Sequence, residues 1–232
     1  VTSREFGHVL EGASYIHPIM LNYSWYDVGK AQQWAMGKYP RVIVTQLHGT
    51  GIHTVPDDLP SYSLSMWRKT GLEDEYHTLP LTFDQRNPNR EKNLIAQTLT
   101  SPKPVILMKF DAWTSPFDES NHVKACMREM LSDRFQLIDL DKVGAQRVYD
   151  LLGLFDMAVG LVTVDTMCLH LAAASNVEYV AFTRDDGQSG SVPKGNCVLQ
   201  IGYRQWHEQR FAFELQMKMW LAKIQRKIKE VS

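Results

Sequence analysis

The chain reads as an α/β protein built from two Rossmann-like halves with parallel sheets, and three observations predict it. Apolar, β-branched strand patterns alternate with helical patterns along most of the 232 residues. The strand patterns are continuous rather than half polar, as in parallel sheets covered on both faces. The rhythm breaks once, at "SPKP" (101–104), and then restarts.

Elements follow in order. A helix is expected near Glu5 to Glu11, an apolar run from His17 to Leu21, a helix from Asp27 to Lys38 and the strand "RVIVTQL" (41–47). The loop "HGTGIHTVPDDLPS" leads to a short helix near Tyr62 to Lys69, stopped by Gly71. A polar, Pro/Asn-rich stretch precedes a helix over roughly 90–99. After the linker come the strand "PVILMKF" (104–110), the loop "DAWTSPFDES", a helix over 119–131 and the strand "FQLIDL" (135–140). A helix over 145–155 and the strand "AVGLVTV" (158–164) follow, then a small-residue helix and the strand "EYVAF". The final stretch is a long helix carrying Phe211, Leu215, Trp220, Leu221, Ile224 and Ile228 near helical spacing. Three regions are therefore expected: an N-terminal Rossmann-like domain over 1–100, a second over 101–205, and an amphipathic helix over 206–232.

Composition narrows function. With 25 basic and 26 acidic residues the formal net charge is -1, which argues against a protein that coats nucleic acid, since that task draws on excess Lys and Arg. The three cysteines, Cys126, Cys168 and Cys197, are scattered and odd in number. They form neither a disulfide framework nor a CxxC pair, so a reducing cytoplasm is the expected location. No apolar run is long enough to cross a bilayer, and the N-terminus lacks the layout of a signal peptide. The terminal helix has two uses open to it: docking on an anionic membrane surface, or packing its apolar stripe on the body of the protein.

In a parallel α/β sheet, ligands gather beyond the carboxyl ends of the strands. That rule nominates Lys109 to Phe117, Asp139 to Gly144, Asp165 to Met167 and Arg184 to Ser191. Asp165 falls at or near the start of a helix, where the amides of Thr166, Met167 and Cys168 point outward and suit a phosphate. Equally, Asp165 can be a helix cap that consumes those amides itself. His170, one turn in, is either a core histidine or a site residue. In the earlier loop, Lys109, Thr114 and Ser115 bring a cation and hydroxyls to the start of a helix and suit a diphosphate, or they line an ordinary solvated turn.

Other chemistry is less well supported. There is no GxxxxGK[ST], and "GTG" at 49–51 does not extend to GxGxxG. "DLD" (139–141) has a metal-binding spacing but falls within an apolar strand pattern, so no metal is expected there. His48 and His53 offer a general base, or are plain loop histidines.

The composite "LLGLFDMAVGLVTVDTMCLHLAAASNVEYVAF" resembles the C-terminal domain of glycosyltransferase family 9, the ADP-heptose:lipopolysaccharide heptosyltransferases. Asp165, Thr166, Met167 and His170 carry that resemblance, with "PVILMKFDAWTSPF" extending it through Lys109 and Ser115. It covers about residues 100–203, and the first hundred only in rhythm. It implies a GT-B fold, two Rossmann-like domains facing a cleft, with a nucleoside diphosphate sugar bound mainly by the C-terminal half and no metal or other cofactor. The implied activity is inverting transfer to an acceptor hydroxyl of a glycan, a lipid-linked acceptor or another partner. A nucleotide-sugar binding protein and a related epimerase or hydrolase are the alternatives. Two departures stand out. Met167 replaces a glycine usual in the family, and the chain starts after the strand-loop-helix unit that carries the family's base would have ended, so the N-terminal domain is expected to be incomplete, with His48 or His53 as substitutes if the chain is whole and the base upstream if it is a fragment.

Overall fold

The computed structural model describes residues 2–3, 11–17, 19–22, 28–43, 68, 70–71, 82–112, 115–184, 192–193 and 196–231. They fall in two compact units, Val1–Pro88 with Gln146–Asp150, and Asn89–Ala145 with Leu151–Ser232.

In the first unit, β1 (Thr2–Ser3) and β2 (Met20–Leu21) pair in parallel. Helix α1 (Val28–Met36) follows, inside the expected span. Tyr149 is fully buried: its ring packs on Phe83 with centroids 5.7 Å apart, and the Arg147 guanidinium lies 5.0 Å from its centroid. A Cβ on Gly12 would come within 2.6 Å of that ring, so the close approach requires glycine. Asp84 accepts the Ser14 amide at 2.7 Å and the Ser14 hydroxyl. Residues 41–43 carry no regular structure. The rest of the strand expected over 41–47, the helix near Tyr62 to Lys69 apart from Arg68, and most of the helix near Glu5 to Glu11 lie outside the described residues.

The second unit is a five-stranded parallel sheet. Its strands are β3 (Val105–Lys109), β4 (Gln136–Asp139), β5 (Ala158–Val164), β6 (Tyr179–Thr183) and β7 (Cys197–Gly202), in the order β4-β3-β5-β6-β7. Alternation sends Ile106, Met108, Val162, Val164, Val180 and Phe182 to one face, where α3 (Ser120–Leu131) contributes Val123, Met127 and Leu131. The opposite residues Leu107, Leu161 and Ala181 are also fully buried, so both faces are covered, as continuous apolar strands require.

Helix α2 (Pro88–Thr98) opens on a proline, whose missing amide costs nothing in a first turn. From Asn89 on it belongs to the second unit. The reason is packing: Glu91 and Ile95 lie against Gly153, where a Cβ would sit 2.9 Å from the Glu91 Cβ. The helix expected over 145–155 is instead a 3-10 turn, Val148–Leu151, followed by α4 (Leu152–Met157). Asp150 accepts the Arg147 amide at 3.1 Å and its guanidinium at 3.0 Å, which fixes a tight turn where a longer helix is expected.

Helix α5 (Met167–Ala174) links β5 to β6, and α6 (Tyr203–Val231) closes the chain. At Gln209 the backbone of α6 leaves helical values (φ -130°, ψ 27°). Beyond that kink Met217, Trp220, Leu221 and Ile224 pack on the sheet, with Trp206 buried before it. Phe211 and Leu215, expected on the packed stripe, are 83% and 52% exposed, because the face that docks is centred about half a turn away from them. None of the helices among the described residues is long and apolar enough to cross a membrane.

Candidate functional site

Strand order decides where a ligand can sit. In the β4-β3-β5-β6-β7 arrangement the chain runs outward from β3 in opposite directions, so the switch point falls between β3 and β5, beyond their carboxyl ends. Lys109 and Thr163 are register partners at that edge.

After β5 the chain turns through Asp165 and Thr166, both half-buried. The Asp165 amide donates to the Phe182 carbonyl at 3.1 Å, continuing the sheet by one bond. The cap of α5 is Thr166, not Asp165: Thr166 is extended, and its hydroxyl accepts the Cys168 amide at 3.3 Å. A relay runs through the turn. The Thr163 hydroxyl donates to the Val164 carbonyl at 2.9 Å, which leaves it to accept from the Thr166 hydroxyl at 3.2 Å. Capping by a neutral hydroxyl adds no charge of its own at the positive end of the helix.

Met167 is half-buried at the first position of α5. His170 is exposed, so its reading as a core residue is overturned. Desolvation of the ring pushes its pKa down, against the pull of the Asp165 carboxylate, so it is neutral at pH 7. Cys168 is buried, and burial raises its thiol to about 11, which removes it as a nucleophile.

The end of β3 joins Lys109 and the two "DLD" carboxylates, all noted in the sequence, to Lys124, which was not. Asp141 accepts Lys109 Nζ at 2.6 Å, Lys124 Nζ at 2.7 Å, and the backbone amides of Phe110 at 3.3 Å and Asp111 at 3.1 Å. Lys124 also reaches Asp139 at 3.0 Å. Burial opposes ionisation of Asp141, but hydrogen bonds from Lys109 and Lys124, their charges and the Asp111 amide outweigh it and hold the carboxyl well below its usual range. Burial likewise opposes the Lys124 charge, and the two carboxylates more than restore it. The "DLD" pair is thus neutralised by lysines. Lys109 is the register partner of Thr163, so this cluster and the turn into α5 lie at the same edge of the sheet.

The other expected residues divide. Ser115 is 2% exposed and does not face solvent as packed. Phe117 pulls its loop inward, stacked on Phe182 at 5.1 Å and on Tyr203 at 4.6 Å, and the Tyr203 hydroxyl donates to the Ser115 carbonyl at 2.8 Å. Thr114, His48 and His53 lie outside the described residues, as do 185–191 of the last nominated loop. Asp141 lies in the strand-end loop 139–144 that the sequence nominated, whereas its pairing with Lys109 and Lys124 was not read there; Lys124 gave no signal.

Comparison with solved structures adds the fold. The crystal structure of the glycosyl transferase family 9 protein from Veillonella parvula DSM 2008 aligns with 88% of this chain and 78% of its own, at 10% identity and a TM-score of 0.55. This chain shares that GT-B fold. A second structure, the ADP-heptose lps heptosyltransferase II of E. coli, aligns over 66% of this chain and 62% of its own, at 15% identity and a TM-score of 0.37, too loose a superposition to add weight. No family model and no curated protein matches the sequence.

Proposed function

We propose that the protein is an inverting, metal-independent glycosyltransferase that moves a sugar from a nucleoside diphosphate sugar to an acceptor hydroxyl. The observation that carries this is the turn 163–168: a helix start capped by a neutral hydroxyl, beside a lysine, at the switch point of a parallel sheet. An uncharged cap leaves the positive end of α5 available to a diphosphate. In the proposed reaction the acceptor oxygen attacks the anomeric carbon opposite the departing diphosphate. A base from the N-terminal half, His48 or His53, takes the acceptor proton. The helix start, Thr166 and Lys109 stabilise the leaving charge in place, as pre-aimed donors do. Neutral His170 would contribute a hydrogen bond rather than a charge. Metal independence is supported by Lys109 and Lys124, which engage the two carboxylates a divalent cation would need.

One observation favours a second reading, a nucleotide-sugar binding protein without transfer: Lys109 is already paired with Asp141 and so brings less net charge to a leaving group. The proposed contact with an anionic membrane surface rests on α6, where Phe211, Leu215 and Met219 are exposed along one face with Lys218 and Arg226 beside them.

The test is a thermal-shift panel of nucleoside diphosphates and their sugars, followed by product analysis. At least one diphosphate should raise the unfolding midpoint, and Thr166→Val should reduce that rise. Sugar transfer that is indifferent to added magnesium supports the enzyme; binding without transfer or hydrolysis selects the binding protein. Failure of every diphosphate to stabilise the chain removes both.

A further inference from the structure

Away from the strand ends, α3 and α6 bring together three side chains with the chemistry of metal ligands. His122 and Cys126 stand four residues apart on α3, about 40° apart in projection, so they leave the helix from one face. Lys124 lies about 160° from both, on the face turned to Asp139 and Asp141, so the two clusters are separated by the width of the helix. Glu214 comes from α6, one turn before Met217 and at the margin of the face that packs on the sheet. The Cys126 sulfur is 3.0 Å from His122 Nε2 and 4.0 Å from a Glu214 carboxylate oxygen. One ligand atom from each residue falls within 4.8 Å of the others, and all three side chains are half-buried.

We propose that His122, Cys126 and Glu214 bind a zinc ion, with water as fourth ligand, and that the ion clips α6 to α3. Bonds of about 2.0–2.3 Å to nitrogen, oxygen and sulfur in a tetrahedron place the ligand atoms about 3.3–3.7 Å apart. The two separations from sulfur, 3.0 and 4.0 Å, bracket that range, and all three ligand atoms lie within 4.8 Å of one another, so closing on an ion takes movements of up to about 1.5 Å, within the reach of side-chain rotation. Charge fits as well. A thiolate beside a carboxylate is a costly pair when half-buried, and a dication leaves the set neutral. A thiol hydrogen-bonded to the imidazole, with no ion, is the competing state. Only two of the three ligands are close in sequence, the third being 88 residues away, which is why cysteine spacing gives no hint of the set.

The full chain, stripped with chelator and titrated with cobalt(II), decides between them. Expected are a near-ultraviolet thiolate-to-cobalt band with tetrahedral visible bands, both bleached by zinc, and a zinc-dependent rise in unfolding midpoint. Cys126→Ser should abolish the near-ultraviolet band while Cys168→Ala keeps it. His122→Ala and Glu214→Gln should weaken cobalt binding by at least the 10- to 100-fold, roughly, that loss of an outer-shell partner costs. Circular dichroism confirms that each variant is folded. No band in the folded parent, a band that survives Cys126→Ser, or a midpoint indifferent to zinc overturns the proposal.

Discussion

Asp141 shows how one carboxylate organises an edge of the sheet. It answers two lysines and two backbone amides at once, so replacing it leaves several half-buried donors unmatched. Asp141→Asn is expected to lower stability on the order of 2 kcal/mol in chemical denaturation. Its folded pKa lies below the ordinary 3.8, so its contribution is complete above that value and disappears as pH falls below it. Denaturation midpoints between pH 6 and 3 should therefore decline below about pH 4, and the decline should be shallower in Asp141→Asn. His170 makes the opposite case. Exposed on α5, it should tolerate alanine with a stability change within about 0.5 kcal/mol, whereas a core histidine would not. These two residues mark the limit of reading single positions. The Asp-Thr turn was legible because strand and helix periods place it, but the choice of Thr166 as cap depends on a rotamer and a backbone angle. Lys109 and the loop holding Asp141 were found from their strand ends, and their pairing was not, because contact across 32 residues leaves no local trace.

Among elements, the central strands were legible for a simple reason: each is a short unbroken apolar run, and both faces are buried. Strand β7 was missed because it alternates, with Val198 and Gln200 exposed at the edge of the sheet. That pattern is weak in a strand of six residues. The terminal helix was legible as amphipathic, but the docked face was not, since apolar residues stand on two sides of it. Gly160 reports on that docking. A Cβ there would lie 2.9 Å from two carbons of the Trp220 indole, whose Nε1 donates to Glu178 at 3.0 Å and holds the ring in place. Gly160→Ala should thus cost about 1–3 kcal/mol by overpacking, measured by denaturation, with a matching change in tryptophan fluorescence.

At the scale of the whole molecule, the βα rhythm sufficed to name the α/β class and the GT-B resemblance, and a solved structure only 10% identical shares the fold. The fold survives such divergence because apolar periodicity, not residue identity, specifies parallel strands and their covering helices. The exposed face of α6 yields a prediction at this scale. The protein should co-sediment with vesicles containing anionic lipid, less so as salt rises, and Phe211→Ser with Leu215→Ser should release it while leaving the unfolding midpoint nearly unchanged.

The contact between Gly160 and Trp220 also has a meaning in time. During synthesis the strand leaves the ribosome about sixty residues ahead of the ring that covers it. Until α6 has been made, Val162, Val180 and Phe182 lack part of their apolar cover. In a nascent chain paused in that interval, this apolar strand surface stays partly uncovered, the condition under which aggregation competes with folding.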